Sequence, residues 1–214
     1  QVRQALGLPI EIPALVLANH DHPSFSTLGS LSALILRTAQ YQRALDQVFL
    51  GDIAVLFTER FVVTFRFGAA SPVSRVRASL EARPDWLAQG SPAVVHAVID
   101  QVVADYIPVL HGIEREALDV ERDVFSDTFR RSSRRIFRLK RQILDLYSIV
   151  DELADPLNRL IRSHDAWMTP AFRERLQDVD DQLDRLAART RSLSDLLTSA
   201  LDAHLAQISV QQNE

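Results

Sequence analysis

Three oxygen-bearing side chains near the C-terminal end, Asp195, Asp202 and Asn213, recur at helical spacing. The first two are seven residues apart and the last two eleven, so at about 100° per residue they share one narrow helix face. On a helix that stands alone, such carboxylates are ordinary solvated side chains. If several copies surrounded a common axis, the stripe would form rings of oxygen ligands, which hard cations such as Mg²⁺ prefer. Assembly decides between the two interpretations.

A second group of potential ligands is His20-Asp21-His22. Alternate residues of an extended segment point to the same side, so both imidazoles could meet one ion. A structural zinc site needs four ligands, however, and the sequence contains no second cluster of this kind. We therefore favour a polar turn before Pro23 over a zinc site.

The basic run from Arg130 to Arg141 could follow a phosphate backbone, since its arginines lie on successive helical turns. The alternative is a solvated helix face that pairs with acids on a preceding antiparallel helix. We favour pairing, and expect no nucleic-acid partner, because the formal net charge is -4 and acids lie just across an expected turn. These acids are Glu114, Glu116, Asp119, Glu121 and Asp123.

The composition limits the classes of protein and of binding site to which this chain can belong. The 214 residues are 47% hydrophobic and 24% charged, enough for a buried core, and the absence of cysteine excludes disulfides and thiolate sites. The sequence has no Gly-rich phosphate loop, no Gly-x-Ser-x-Gly and no His-Glu-x-x-His, so we expect no enzyme. No apolar run approaches the roughly 18 to 20 residues of a membrane span, and we expect a soluble, cytosol-facing chain.

Short apolar runs in the first third predict strands, and the pattern becomes helical after Gly68. Thr58-Glu59-Arg60 separates the last two runs, which predicts a hairpin. Pro9, Pro13 and Pro23 permit only short helices in the segment that they interrupt. The apolar runs are Leu31–Leu36, Val48–Leu50, Ile53–Phe57 and Phe61–Phe67.

Three long helices follow. Ser91-Pro92 and Thr169-Pro170 each place a capping hydroxyl before a proline, which is typical of a helix start. Pro108 should kink the first helix, the second spans about 126–161, and the third begins at Pro170. Apolar residues of the third alternate steps of three and four, a heptad seam that packs against other helices. The seam is Leu176, Val179, Leu183, Leu186, Thr190, Leu193, Leu197 and Ala200. At about 1.5 Å per residue the helix would be roughly 67 Å long, so part of it must project or find partners.

Four segments resemble the cytoplasmic domain of CorA-like magnesium and divalent-metal transporters, with the zinc-transporting ZntB branch nearby. The stretch 196–214, a leucine-rich segment that runs through Ser-Val into Asn-Glu, is similar to the end of the family's stalk helix. The segment 93–110 looks like the family helix that carries Leu-Ile-Asp, Asp-x-Tyr and a proline. Leu139-Lys-Arg-Gln-Ile-Leu144 matches a Leu-Lys-Arg segment, and Pro156-Leu157 is similar to a Pro-Leu-Arg motif.

The resemblance implies a homopentamer in which five stalk helices converge on a pore, with Asp202 and Asn213 facing the axis. Asp178 matches a stalk aspartate that shares a regulatory cation with an acidic pair of the neighbouring subunit. Here Ala14-Leu15 stands where that pair should be, which removes half of the expected site. The chain also starts after the family's first strands, and the spacing from Leu139 to Pro156 is about one turn longer.

We therefore predict an α+β fold, with a mixed sheet flanked by helices in an α/β/α funnel domain. This domain would span 1–161 and a connecting turn 162–169. A stalk helix over 170–214 would then lead to a transmembrane segment beyond this sequence. The predicted function is that of the cytosolic domain of a divalent-cation channel or transporter at the cytoplasmic face of the inner membrane. The domain would sense Mg²⁺, or alternatively Co²⁺, Ni²⁺ or Zn²⁺, at acidic sites between subunits and gate the pore through the stalk helix. Metal ligands would be Asp178, Asp202, Asn213 and, more weakly, Asp195; no organic cofactor is expected. The alternative is a soluble coiled-coil scaffold without a transport role.

Overall fold

A computed structural model describes residues 22–69, 71–124, 132–165 and 167–212. Within these residues four strands are followed by five helices. The strands are β1 Ser24–Leu28, β2 Leu31–Gln42, β3 Gln47–Phe57 and β4 Val62–Gly68. The helices are α1 Val73–Glu81, α2 Pro84–Leu87, α3 Ser91–Val124, α4 Ser132–Ile161 and α5 Pro170–Gln212. The predicted α+β class is confirmed.

The sheet is a meander in which each strand pairs with the next along the chain. The predicted hairpin is confirmed, because Phe57 pairs with Val62 and the Thr58 N–H donates to the Phe61 carbonyl at 3.0 Å. All described strand pairs are antiparallel, so the mixed sheet that we expected is not found among them. Short turns join the strands, and a turn of this length can connect only antiparallel neighbours.

The helices pack on one face of this sheet. Leu34, Leu36, Ile53 and Val55 point into the same buried cluster as the apolar residues of α3, and the Tyr106 hydroxyl donates to the Arg37 carbonyl. Residues between them on the strands form a smaller buried cluster on the other face, as the period of two requires. That cluster contains Leu31, Ile35, Ala54 and Leu56. The described residues in and around this cluster belong to the strands and the β3–β4 turn, so the helical layer predicted for this second face stays a prediction.

Helix α3 is the centre of the core. It begins at Ser91 as predicted and continues through Pro108. Its stretch Ser91–Val120 contains an 18-residue window with a mean hydropathy of 1.5, long and apolar enough to cross a membrane, which our search for apolar runs did not anticipate. In this structure 61% of that window is buried inside the protein, as in the core helix of a globular domain.

Helix α5 begins at Pro170, where the Phe172 N–H donates to the Thr169 hydroxyl at 3.2 Å, so the predicted cap is confirmed. It extends for 43 residues, about 65 Å. Every residue of the predicted seam is buried, from Leu176 at 0% exposure to Ala200 at 7%. The seam packs against α3 and α4 of the same chain, with α4 antiparallel to α5 across the 162–169 turn. The seam therefore finds its partners within one chain.

Candidate cation-binding face of the C-terminal helix

Asp195 and Asp202 lie on the outer face of α5, and both are exposed. At about 100° per residue they sit roughly 140 to 180° around the helix from the buried Leu193 and Leu197. Because these leucines contact α3 and α4, the two carboxylates face away from the rest of the domain. The predicted stripe exists as far as Asp202, and Asn213 lies outside the described residues.

A third aspartate belongs to this stripe and was missed from the sequence. Asp184 is exposed and stands eleven residues before Asp195, the same interval that suggested Asn213. Extending the spacing search toward the N-terminus of the helix would have found it. We call Asp184, Asp195 and Asp202 the outer acidic stripe.

Arg191 lies on the same face of α5 as the outer acidic stripe, and its guanidinium contacts Tyr147 of α4. Its Nη2 donates to the Tyr147 hydroxyl at 3.1 Å, and its Cζ lies 5.5 Å from the centroid of that ring. The hydrogen bond to Tyr147 raises the pKa of Arg191. The charge of Asp195 also raises the pKa of Arg191, so the guanidinium interacts with this carboxylate of the stripe while it is bonded to Tyr147.

Acids accumulate near the start of α5. Asp180 is half-buried beside α4, where the Asn158 Nδ2 donates to its Oδ1 at 3.4 Å. Burial, followed by the charges of Asp184 and Asp181, raises the pKa of Asp180. Burial accounts for the largest part of this shift, and repulsion from the ionised Asp184 and Asp181 adds to it. A bound cation would relieve that repulsion.

Asp178 is exposed and lies about 100° around α5 from Asp195, on a flank of the helix. No hydrogen bond or ion pair joins its side chain to another residue of the described ranges. Ala14 and Leu15, which occupy the positions of the expected acidic partner, lie outside the described residues. The regulatory role of Asp178 thus stays a prediction.

The histidine cluster is described only at His22. Its side chain is 80% exposed, and its Nδ1 lies 3.6 Å from Glu152 Oε2 on α4. His20 and Asp21 lie outside the described residues. Among the residues that the structure describes, no group of three or more His, Cys, Asp or Glu could hold a metal ion. A single copy of the described chain therefore provides no complete cation site.

The basic run of α4 pairs with α3 as we favoured. Arg138 Nη2 lies 2.9 Å and Arg135 Nε 3.6 Å from Glu116 Oε1, and Arg135 Nη2 lies 4.0 Å from Asp119 Oδ2. The prediction for Glu114 was wrong, because it pairs instead with Arg189 of α5 at 2.7 Å. The sequence search considered the neighbouring helix only, whereas Glu114 faces the third helix of the bundle.

Comparison with known proteins identifies the group to which this arrangement belongs. The sequence profile of the family described as CorA-like Mg2+ transporter protein matches residues 1–214. The chain belongs to this family. Among curated relatives of this CorA-like chain, the putative metal ion transporter YfjQ of Bacillus subtilis (strain 168) is 24% identical over 76% of the chain and 51% of its own length. The cobalt/magnesium transport protein CorA of Thermotoga maritima is 22% identical over 100% of the chain and 62% of its own length.

The CorA-like chain therefore spans between half and two thirds of the length of these curated relatives. Solved structures agree in fold. The soluble domain of CorA from Methanocaldococcus jannaschii superposes with a TM-score of 0.79 at 14% identity, covering 96% of the chain and 82% of that domain. The ZntB cytoplasmic domain from Vibrio parahaemolyticus superposes with a TM-score of 0.74 at 14% identity, over 97% of the chain and 82% of that domain.

Proposed function

We propose that this chain is the cytosolic domain of a divalent-cation channel or transporter, with α5 as the stalk through which bound cations control the pore. The outer acidic stripe carries the proposal. Its carboxylates are exposed on the face opposite the buried seam, so they are accessible to other copies of the chain. Membership of the CorA-like family supports a role in metal-ion transport.

The cation sites would form between subunits. Mg²⁺ takes about six oxygen ligands, including its retained waters. One copy supplies only one carboxylate at each level of the stripe, because Asp195 and Asp202 are separated by about 10 Å along the helix. Five copies around an axis would supply five carboxylates at each level. A ring of this kind repels itself when empty and is neutralised when it holds hydrated divalent cations.

Gating would follow from a difference in cation affinity between two packings of the stalk bundle. Bound cations favour a stalk bundle in which the stripes are close together, and loss of cations favours a wider packing. Asp178, on the flank of α5, would contribute to a site with the neighbouring subunit, and Asn213 would face the pore axis. The domain would lie at the cytoplasmic face of the inner membrane, with Mg²⁺ as the first candidate and Co²⁺, Ni²⁺ or Zn²⁺ as further substrates.

A magnesium titration of the 214-residue chain tests this proposal. We expect MgCl₂, compared with NaCl of equal ionic strength, to increase the oligomer fraction in sedimentation velocity and to protect α5 from limited proteolysis. The double variant Asp195→Asn, Asp202→Asn should lose both responses. The matched control is Asp145→Asn, an exposed aspartate of α4, which should keep them. If magnesium changed neither the oligomeric state nor the protection of α5 from proteolysis, the proposal that this domain senses cations would be wrong.

The alternative of a soluble scaffold rested on the heptad seam. A scaffold that dimerises through this helix needs a seam free to meet another chain. The seam is buried against α3 and α4 as far as Ala200, the last of its predicted positions. No specific observation among the described residues favours the scaffold, and we do not propose it.

A further inference from the structure

An open pocket lies where α4 ends and α5 begins. Its volume is about 650 Å³, which falls within the range of roughly 300–1,000 Å³ that is typical of small-molecule sites. Its walls include Asn158 and Ile161 of α4, Arg162 and His164 of the 162–169 turn, and Arg173 and Asp180 of α5. We call this feature the turn pocket. The outer acidic stripe contributes no side chain to it.

The spacing of the lining residues explains why they face one pocket. The Arg162 N–H donates to the Asn158 carbonyl at 3.0 Å, so helical spacing continues past the end of α4 and places both residues on one face. Arg173 and Asp180 are seven residues apart and share a face in the first turns of α5. Because α4 and α5 are antiparallel neighbours, the end of one helix meets the start of the other.

Arg173 is held at the junction of the two helices. Its Nε donates to the Ile161 carbonyl at 3.0 Å, and its Nη2 donates to the Ser163 carbonyl at 3.3 Å. The end of a helix carries partial negative charge on its carbonyl groups, and the guanidinium offsets it here. A guanidinium has more N–H donors than these two bonds use, so Nη1 remains available to a ligand.

The positive charge of the turn pocket is not neutralised by carboxylates of the described chain. Arg162 and His164 are exposed, and the side chain of neither forms a hydrogen bond or ion pair with another residue of the described ranges. Arg173 bonds only to carbonyl oxygens there. Asp180 is the single acid in the described lining, and its Oδ1 accepts from Asn158 Nδ2 at 3.4 Å.

Arginines elsewhere in the bundle already have anionic partners. Arg138 is bonded to Glu116, and Arg189 is bonded to Glu114. An arginine without a carboxylate keeps its planar array of donors free for an oxyanion, which it can bind through two parallel bonds. A phosphate monoester carries a charge of about −1.5 to −2 at neutral pH, which matches two guanidinium groups better than a single carboxylate does. The chemistry of the pocket therefore favours phosphate.

The size of the turn pocket indicates an organic phosphate rather than the inorganic ion. A phosphate group would fill only a small part of the volume. The rest of the wall includes Ile161, an apolar side chain that is 8% exposed, and the amides of Asn158 and Gln177. Apolar surface with a few amide groups suits the carbon skeleton and the hydroxyl or ring nitrogen atoms of a small metabolite.

We propose that the turn pocket binds the phosphate group of a small organic phosphate, with Arg162 and Arg173 as its cationic partners and His164 as a further donor. The ligand would join the 162–169 turn to the first turns of α5, because its partners lie on both. It would therefore stabilise the junction from which α5 starts. The site uses none of the carboxylates that we propose as cation ligands, so it does not depend on the proposed function.

Calorimetric titration of the 214-residue chain tests this inference. The probes are adenosine 5′-monophosphate, phenyl phosphate, adenosine and inorganic phosphate, in NaCl buffer of physiological ionic strength with EDTA, so that no metal ion bridges ligand and protein. Both organic phosphates should bind at one site, about tenfold more tightly than inorganic phosphate. Adenosine should not bind. Adenosine 5′-monophosphate should also raise the midpoint of thermal unfolding, since it binds the folded state.

Arg162→Gln is the variant that isolates the site. Because the Arg162 side chain is exposed and has no partner among the described residues, its removal leaves no buried group unpaired. The variant should bind adenosine 5′-monophosphate about tenfold more weakly, as expected for the loss of one charge-assisted contact. Arg159→Gln is the matched control. Arg159 is an exposed arginine one helical turn earlier that does not line the pocket, so its variant should bind like the wild type.

Three results would overturn the inference. Equal affinity of adenosine 5′-monophosphate for wild type and Arg162→Gln would show that the ligand binds elsewhere. Inorganic phosphate that binds as tightly as both organic phosphates would contradict the assignment to an organic phosphate. Absence of binding by both organic phosphates at concentrations up to about 10 mM would refute the site altogether. None of these results alters the magnesium titration, because the two tests concern different residues.

Discussion

Arg138 Nη2 donates to Glu116 Oε1 at 2.9 Å and so joins α4 to α3. The Glu116 side chain is only 3% exposed, whereas that of Arg138 is 47% exposed. The other carboxylate oxygen, Oε2, is buried without a hydrogen-bond partner among the described residues. A buried carboxylate depends on its cation, because an unpaired charge in the interior is strongly unfavourable. The pair therefore fixes the position of α4 along α3.

Removing the arginine should destabilise the protein more than a surface arginine would. We expect Arg138→Ala to lower the free energy of unfolding by about 1–3 kcal/mol, since Arg135 remains near Glu116 and solvent screens part of the charge. Arg122→Ala, which removes an exposed pair with Asp119, should change it by less than about 0.5 kcal/mol. Urea denaturation measures both. Equal effects of the two substitutions would show that Glu116 is not dependent on Arg138.

The buried seam of α5 should account for much of the stability of the three-helix bundle. Leu197 has 0% exposure, so Leu197→Ala should cost about 2–5 kcal/mol through lost burial and the cavity left behind. Leu45→Ala, at a turn residue that is 52% exposed, should cost far less. Urea unfolding of the two variants provides the comparison. A small loss for Leu197→Ala would mean that the end of α5 does not pack on its own domain.

Gly112 in α3 should not tolerate a methyl group. Alanine in a helix interior is normally favoured over glycine by roughly 0.5–1 kcal/mol. Here a Cβ would stand 2.6 Å from ring atoms of Tyr41, a distance that forces the ring or the helix to move. The cost of this clash should exceed the gain in helix propensity. Gly112→Ala should therefore lower the free energy of unfolding by about 1–3 kcal/mol in thermal or urea unfolding.

A second substitution separates the clash from other causes. In a Tyr41→Ala background the obstructing ring is gone, so Gly112→Ala should become neutral or stabilising. The double-mutant cycle thus predicts a coupling energy between the two positions. If Gly112→Ala remained equally destabilising without the ring, close approach to Tyr41 could not be the reason for glycine.

The sequence was sufficient to predict those features of the structure that depend on residues close together along the chain. The start of α5 followed from Thr169-Pro170, and its buried face followed from the steps of three and four. Strand β2 was underestimated, since Thr38 and Gln40 interrupt the apolar run that we used to delimit it. Thr38 is nevertheless 0% exposed, because its place is set by pairing with β3 across the sheet.

Prediction of the candidate site was limited by contacts between parts of the chain that are distant in sequence. Periodicity placed Asp195 and Asp202 on one face, but whether that face was inward or outward depended on where α3 and α4 pack. The partner of Glu114 could not be found from spacing alone, because Arg189 is 75 residues away in the sequence. Long-range pairs of this kind are fixed only by the arrangement of the three helices.

The junction of α2, α3 and α5 contains a histidine whose protonation should affect stability. His96 on α3 is 7% exposed, and its ring meets the Trp86 ring edge-on at 5.7 Å. The Arg175 guanidinium of α5 lies 4.2 Å from the centroid of the same tryptophan. Burial is the largest cause that lowers the pKa of His96, and the charges of Arg175 and Arg83 lower it further. The charge of Asp100 and a hydrogen bond with the Arg175 backbone oppose this shift.

This lowered pKa determines the direction of the pH dependence. The folded state prefers neutral His96, whereas the unfolded chain binds a proton near the ordinary pKa of 6.5. The stabilisation by the neutral ring is therefore complete above about pH 6.5, and it is lost as the pH falls through the folded-state value. We expect the urea midpoint to decrease between pH 7.5 and pH 5 by more in the wild type than in His96→Gln, which cannot take up the proton. His111→Gln, at an exposed histidine of the same helix, should follow the wild type. Equal slopes for wild type and His96→Gln would show that acid does not act on this junction.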